Sequence, residues 1–118
     1  MRVGVPKEIK VEEYRVGLTP ASVREYVAHG HEVVVQRGAG DGIGAGDDAY
    51  TQAGARIADT AEEVFSVAEM IVKVKEPLLS ECGLFRPGQV LFTYLHLASL
   101  PELTKTLLDT KITAIAYE

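Results

Sequence analysis

Cysteine is nearly missing from this chain. Cys82 is alone among 118 residues, so no internal disulfide can form. Long apolar runs are missing as well; none approaches the ~20 residues that a helix needs to cross a bilayer. There is no surplus of positive charge. The net charge is −5, which argues against nucleic acid as the main partner. The sequence holds no G-x-x-x-x-G-K-[ST], no C-x-x-C and no H-E-x-x-H, so no motif implies a metal. No leader precedes the strand pattern in MRVGVPKEIK, and no signal peptide is expected. With the lone thiol, this points to the reducing cytoplasm. Cys82 itself, in SECGLF with no nearby histidine, reads as a structural thiol.

What is present is ordinary for a globular chain: 47% apolar and 25% charged residues. Apolar β-branched runs alternate with helical patterns. RVGVP (2–6) is a short strand stopped by Pro6. Thr19 and Pro20 begin a helix as N-cap and first residue, and Gly30 ends it. HEVVVQ (31–36) is the second strand. Asp47 or Asp48 caps a short helix that Gly54 ends. Thr60 to Glu63 has capping-box spacing and starts another helix. EMIVKV (69–74) and QVLFTYL (89–95) are strands. Ser99 to Glu102 is a second capping box, opening a helix with Leu100, Leu103, Leu107 and Leu108 on one face. KITAIAY (111–117) is the last strand.

Strands that alternate with helices imply right-handed crossovers and a parallel sheet. Continuous apolar runs imply strands covered on both faces. The expected fold is a three-layer α/β domain with a mostly parallel sheet of about five strands, flavodoxin-like or Rossmann-like. The stop at Glu118, directly after a strand, implies a chain cut from something longer.

Ligands of open parallel sheets bind outside the carboxyl ends of the strands. After the first strand runs a 13-residue connection (7–19) with Lys7, Lys10 and Arg15. Lys75 follows the strand at 69–74, and His96 follows the strand at 89–95. A basic rim on an acidic chain suits a small anionic substrate. Arg15 offers a planar fork for a carboxylate. Lys75 can polarise a carbonyl oxygen. The imidazole of His96 can carry a proton to or from that oxygen. Together they suit a 2-oxo acid. Tyr94 precedes His96 by two residues, shares its face, and takes a supporting role. Each also has a bland reading: a solvated arginine, a satisfied core histidine. Lys73 is expected to guard a strand edge. His29 and His31 flank Gly30 at a helix end and complement its dipole. Glu118 reaches the same rim without an assignable role.

GAGDGIGAGDD (38–48) places five glycines between Gly38 and Gly46. GDGIGA fits a permissive dinucleotide fingerprint. However, it follows the second strand, not the first, and Asp41, Asp47 and Asp48 would repel a pyrophosphate. It reads as a connection that needs positive φ at several glycines.

MRVGVPKEIK, the E-x-RVGLTP segment, AG-x-GIGAG with Y-x-QAGA, MIVKVKEP and LFTYLHLA together resemble the amino-terminal region of bacterial alanine dehydrogenases. The resemblance covers essentially the whole chain. It implies that Arg15 binds the substrate carboxylate, Lys75 contacts the substrate, and His96 is the acid/base. It implies a cytoplasmic, homohexameric enzyme that interconverts L-alanine and pyruvate plus ammonia with NAD. Residues 1–118 would then be the N-terminal part of the substrate domain. The NAD-binding domain would lie outside this chain, and the fragment alone would be inactive. Two alternatives stand beside this: a truncated non-catalytic paralogue, and the α-type subunit of a nicotinamide nucleotide transhydrogenase, which shares the opening segment and the glycine stretch. YLHLA favours the dehydrogenase.

Overall fold

Valine-rich runs build the centre of the sheet. β1 (Arg2–Val5) and β2 (Glu32–Gln36) pair in parallel, with Val3 opposite Val33 and Val5 opposite Val35. The computed structural model describes residues 1–118. Its six strands are all parallel, in the order β3-β2-β1-β4-β5-β6. β4 is Met70–Val72, β5 is Val90–Thr93 and β6 is Thr113–Ala116. The order reverses between β1 and β4, which creates the crevice where such sheets hold ligands.

Helices cover both faces, as the continuous apolar runs predict. On one face α1 (Pro20–Ala28) and α2 (Asp47–Gln52) pack on Val3, Val5, Val33, Val35 and Val72. On the other, α3 (Ala61–Val67) and α5 (Pro101–Thr110) pack on Val34, Ile71 and Leu91. Gly4 lies under α3, where an added Cβ would stand 2.7 Å from the Ala68 Cβ. The β-branched side chains of β2 alternate between the two cores, so this strand is buried on both sides. The three-layer parallel α/β fold expected from the sequence is the fold observed.

The details depart from the sequence reading in several places. β3 (Arg56–Ala58) makes six strands, not five. Its three residues begin just after Gly54, whose φ of +105° turns the chain out of α2. A short helix, α4 (Leu79–Cys82), was also not foreseen. Thr19 caps α1 as expected, accepting from Ser22 N. Thr60 accepts from Glu63 N, but the Glu63 carboxylate turns to Asp59 N and Arg56 instead of closing the box on Thr60. Gly46, not Asp47 or Asp48, sits at the N-cap of α2. The second capping box does not form. Residues 97–99 make a 3-10 turn, and Leu100 precedes Pro101 without a side-chain cap.

The largest correction concerns Lys73. β4 is a central strand, and its ladder ends at Val72, earlier than the 69–74 reading. Lys73 turns inward there. It is 2% exposed and its ammonium lies 3.3 Å from Glu8 and 3.4 Å from Glu81, both buried. It guards no edge. A buried charge of this kind persists because its partners compensate it. Cys82 is buried nearby, and burial pushes its thiol pKa up, in keeping with a structural role.

Lys73→Met would leave two buried carboxylates without their cation. The expected loss is about 3 kcal/mol of folding stability, read as a lower urea midpoint.

Candidate functional site

Four chain segments meet at the carboxyl ends of β1, β4, β5 and β6. Pro6 ends β1, and the next residues turn across the switch point. There the buried Glu8 carboxylate accepts the backbone N–H of Val74 at 3.2 Å and of Lys75 at 3.1 Å. It also pairs with Lys73. Burial pushes the Glu8 pKa up, and Lys73 with the two N–H groups pulls it part of the way back. One carboxylate thus ties the loop after β1 to the strand end that carries Lys75.

Lys75 is fixed at both its peptide groups. Its N–H goes to Glu8, and its carbonyl accepts the Thr93 hydroxyl at 3.0 Å. Its half-buried side chain lies over the Tyr94 ring, with the ammonium 5.3 Å from the centroid. This is cation–π range. On Tyr94 stacks His96, with ring centroids 5.8 Å apart and planes at 25°. Tyr94 thus contacts both Lys75 and His96 and joins them into one group. His96 is exposed. Its backbone is left-handed, φ 52° and ψ 35°.

Arg15 comes from the long connection between β1 and α1. It is exposed and gripped by Glu13: Nε to Oε2 at 2.9 Å, Nη2 to Oε1 at 2.7 Å, and Arg15 N to Oε2 at 2.9 Å. Glu13 is held at a pKa of about 2, chiefly by the Arg15 side-chain bond. It holds the Nε/Nη2 side of the guanidinium. The Nη1/Nη2 side remains open, and that side can take a second carboxylate in parallel N–H···O bonds. No direct contact joins Arg15 to Lys75 or His96. The link is electrostatic: the Lys75 charge also lowers the Glu13 pKa.

The glycine loop has a different job from the one its pattern suggests. Asp47 accepts the Gly38 N–H at 2.9 Å. The N–H groups of Asp41, Ile43, Gly44 and Ala45 are bonded to carbonyls within the loop. Most of its donors are thus taken, and Asp41, Asp47 and Asp48 would repel a pyrophosphate, so it does not fit one. Positive φ occurs at Gly38 and Gly44. At Gly42 the need is space: a Cβ there would overlap the Tyr14 carbonyl. The loop thus presses on the residue before Arg15. From the other side, Gly17 passes so close to β4 that a Cβ would lie 2.5 Å from the Val72 carbonyl oxygen. A groove of about 410 Å³ opens between the two loops, lined in part by Lys7, Lys10, Glu13 and Arg15. Lys10 is paired with the buried Glu76.

His29 bonds the Glu25 carbonyl at the end of α1, and His31 meets the amino terminus. Both stand apart from the site. The sequence reading missed Glu8, Glu13 and Tyr117, took Lys73 for an edge residue, and gave Glu118 no role. Glu8, Lys73, Tyr117 and Glu118 all lie within three residues of a strand end, and that position was their one signal.

Residues 4–118 match the family described as "Alanine dehydrogenase/PNT, N-terminal domain". The chain is 61% identical over its whole length to an alanine dehydrogenase of Methanococcus maripaludis. It covers 32% of that relative, so it spans about a third of the curated protein it matches. A solved L-alanine dehydrogenase superposes on the whole chain with a TM-score of 0.97 at 52% identity, over 32% of its own length. A transhydrogenase from Sinorhizobium meliloti superposes on 98% of the chain with a TM-score of 0.92 at 31% identity, over 34% of its own length.

The Glu13 carboxyl titrates at about 2 in the fold against an ordinary 4.5. Its hold on Arg15 is therefore full above about pH 4.5 and fades as pH falls toward 2. Hydrogen exchange should show the Arg15 amide still protected near pH 4 and unprotected in Glu13→Ala at the same pH.

Proposed function

The chain belongs to the alanine dehydrogenase/PNT family through its N-terminal domain, and on that premise we propose that it forms part of an NAD-dependent L-alanine dehydrogenase. Residues 1–118 are read as the N-terminal part of the substrate domain. The reaction is the interconversion of L-alanine, water and NAD with pyruvate, ammonia and NADH. The observation that carries this reading is the Lys75–Tyr94–His96 stack beside an arginine whose outer fork is open.

The residues divide the work by chemistry. Arg15 receives the carboxylate of pyruvate or alanine on its Nη1/Nη2 side, with Glu13 fixing the other side. Lys75 places its ammonium where the carbonyl oxygen develops negative charge during ammonia addition. Tyr94 offers a ring face that limits the space to a small substrate and holds both neighbours in line. His96 delivers a proton to that oxygen as the carbinolamine forms and collapses, and takes one back in the oxidative direction. Because His96 is exposed, it can exchange its proton with solvent between turnovers.

NAD supplies the hydride chemistry. The glycine loop of this chain does not fit it, so the proposal assigns its binding to residues outside 1–118. The same reading carries a cytoplasmic homo-oligomer, the hexamer that the resemblance implies. No helix here is long and apolar enough to cross a membrane. The transhydrogenase reading shares the fold. Two features favour the dehydrogenase: the higher identity to alanine dehydrogenases, and a histidine stacked where a proton must be moved.

In the full-length protein, His96→Ala should lower NADH oxidation with pyruvate and ammonia by about 100-fold or more. Arg15→Lys, which keeps charge but loses the fork, should raise the KM for pyruvate by about tenfold. Wild-type turnover in His96→Ala would overturn the assignment.

A further inference from the structure

We propose that Tyr117 and Glu118, the two residues that follow β6, are the positioning device of this site: Glu118 sets the backbone of His96, and Tyr117 sets the strand end that carries Lys75. This rests on the functional reading of His96 and Lys75 given above.

The ladder between β5 and β6 makes its last bond from Tyr117 N to the Thr93 carbonyl. Beyond it the backbone of β5 would lose its partner. The Glu118 side chain takes over. Its Oε1 accepts Leu95 N–H at 2.9 Å and its Oε2 accepts His96 N–H at 2.6 Å. Each oxygen serves one donor, and the two donors are consecutive. The two N–H groups belong to the peptides on either side of Leu95, so the carboxylate fixes the peptide that leads into His96. His96 itself then turns left-handed, with φ 52°. A residue with a Cβ adopts this region at a cost, and holds it only where its surroundings fix it. The two N–H groups favour the ionised carboxylate and lower its pKa, so the clamp stays charged.

Tyr117 reaches the other way. Its hydroxyl lies 3.0 Å from the Lys73 carbonyl and 2.9 Å from that of Val74, able to donate to either. Its ring stands edge-on to Phe92 at 5.1 Å. The hydroxyl therefore spans β5 and grips the peptide groups just before Lys75. Neither residue is assigned a contact with substrate. Both act through others, and they act on different ones. Glu118 bears on the proton donor and Tyr117 on the cation that faces the carbonyl oxygen. Neither side chain is hydrogen-bonded to Arg15, the anchor for the carboxylate.

Two effects should therefore separate. In the full-length protein, Glu118→Gln keeps the size but turns an amide N–H₂ toward one of the two donors. Its kcat should fall by about 100-fold, the scale set by a misplaced catalytic group, while the KM for pyruvate stays within about twofold of wild type. Glu118→Asp, charged but shorter, should lose less than Glu118→Gln. Tyr117→Phe keeps the contact with Phe92 and loses the hydroxyl. Because Lys75 acts on charge that develops in the transition state, the kcat of this variant should fall by about tenfold, with the KM for pyruvate nearly kept and His96 still left-handed. A crystal structure of Glu118→Gln should show His96 outside the left-handed region. Wild-type kcat in Glu118→Gln, with His96 still left-handed, overturns the proposal. If the wild type itself shows no turnover, the functional reading fails. The positioning claim is then decided by the His96 backbone in Glu118→Gln: a change supports it and no change overturns it.

Discussion

The arrangement hangs on one buried carboxylate. Glu8 stands at the point where the strand order reverses, and there it joins the loop after β1 to the end of β4. The Lys10–Glu76 pair is the other polar tie between these two segments, which are far apart in sequence. The Glu8 carboxylate needs a counter-charge, because desolvation penalises the ionised form. Lys73 provides it and is in turn shared with Glu81 of α4. The pair is an expensive way to stabilise a core, since apolar residues of similar volume often do as well. What it achieves is direction. The Lys73 ammonium is drawn inward, while the same Glu8 carboxylate holds the Lys75 N–H at the rim.

The glycines extend the same logic. Gly17 and Gly42 hold the Arg15 connection between β4 and the loop after β2, with backbone against backbone and no side chain between them. A long connection over the surface would ordinarily be mobile. This one is pressed from two sides and latched by Glu13, so the guanidinium is presented in one orientation before any ligand arrives. Affinity gains when that ordering is done in advance.

Much of this was readable in the sequence. The parallel α/β fold followed from apolar runs separated by helix caps. Arg15, Lys75 and His96 stood out because cationic groups at the carboxyl ends of strands are few in an acidic chain. What could not be read depends on partners distant in sequence. Lys73 looked like an edge lysine because nothing near it reveals that its strand is central, or that Glu8 lies 3.3 Å away. β3 is three residues long and one of them is charged, too short for a period to register. The second capping box had the right letters, but the chain needed its turn at residues 97–99 to bring α5 onto the core. Gly38 and Gly44 obey the positive-φ expectation, whereas Gly42 is required for room, which no local pattern shows.

Cys82 carries a last consequence. Its thiol is 3% exposed, packed in the core on the α3 and α5 side of the sheet, and bonded to the Leu78 carbonyl. Burial also disfavours its thiolate, the form that reacts with alkylating reagents. Since it is the only cysteine of the chain, each alkylation event must wait for this packing to open. The domain thus carries a built-in clock. The rate at which one sulfur is labelled counts how often the layer beneath the site comes apart.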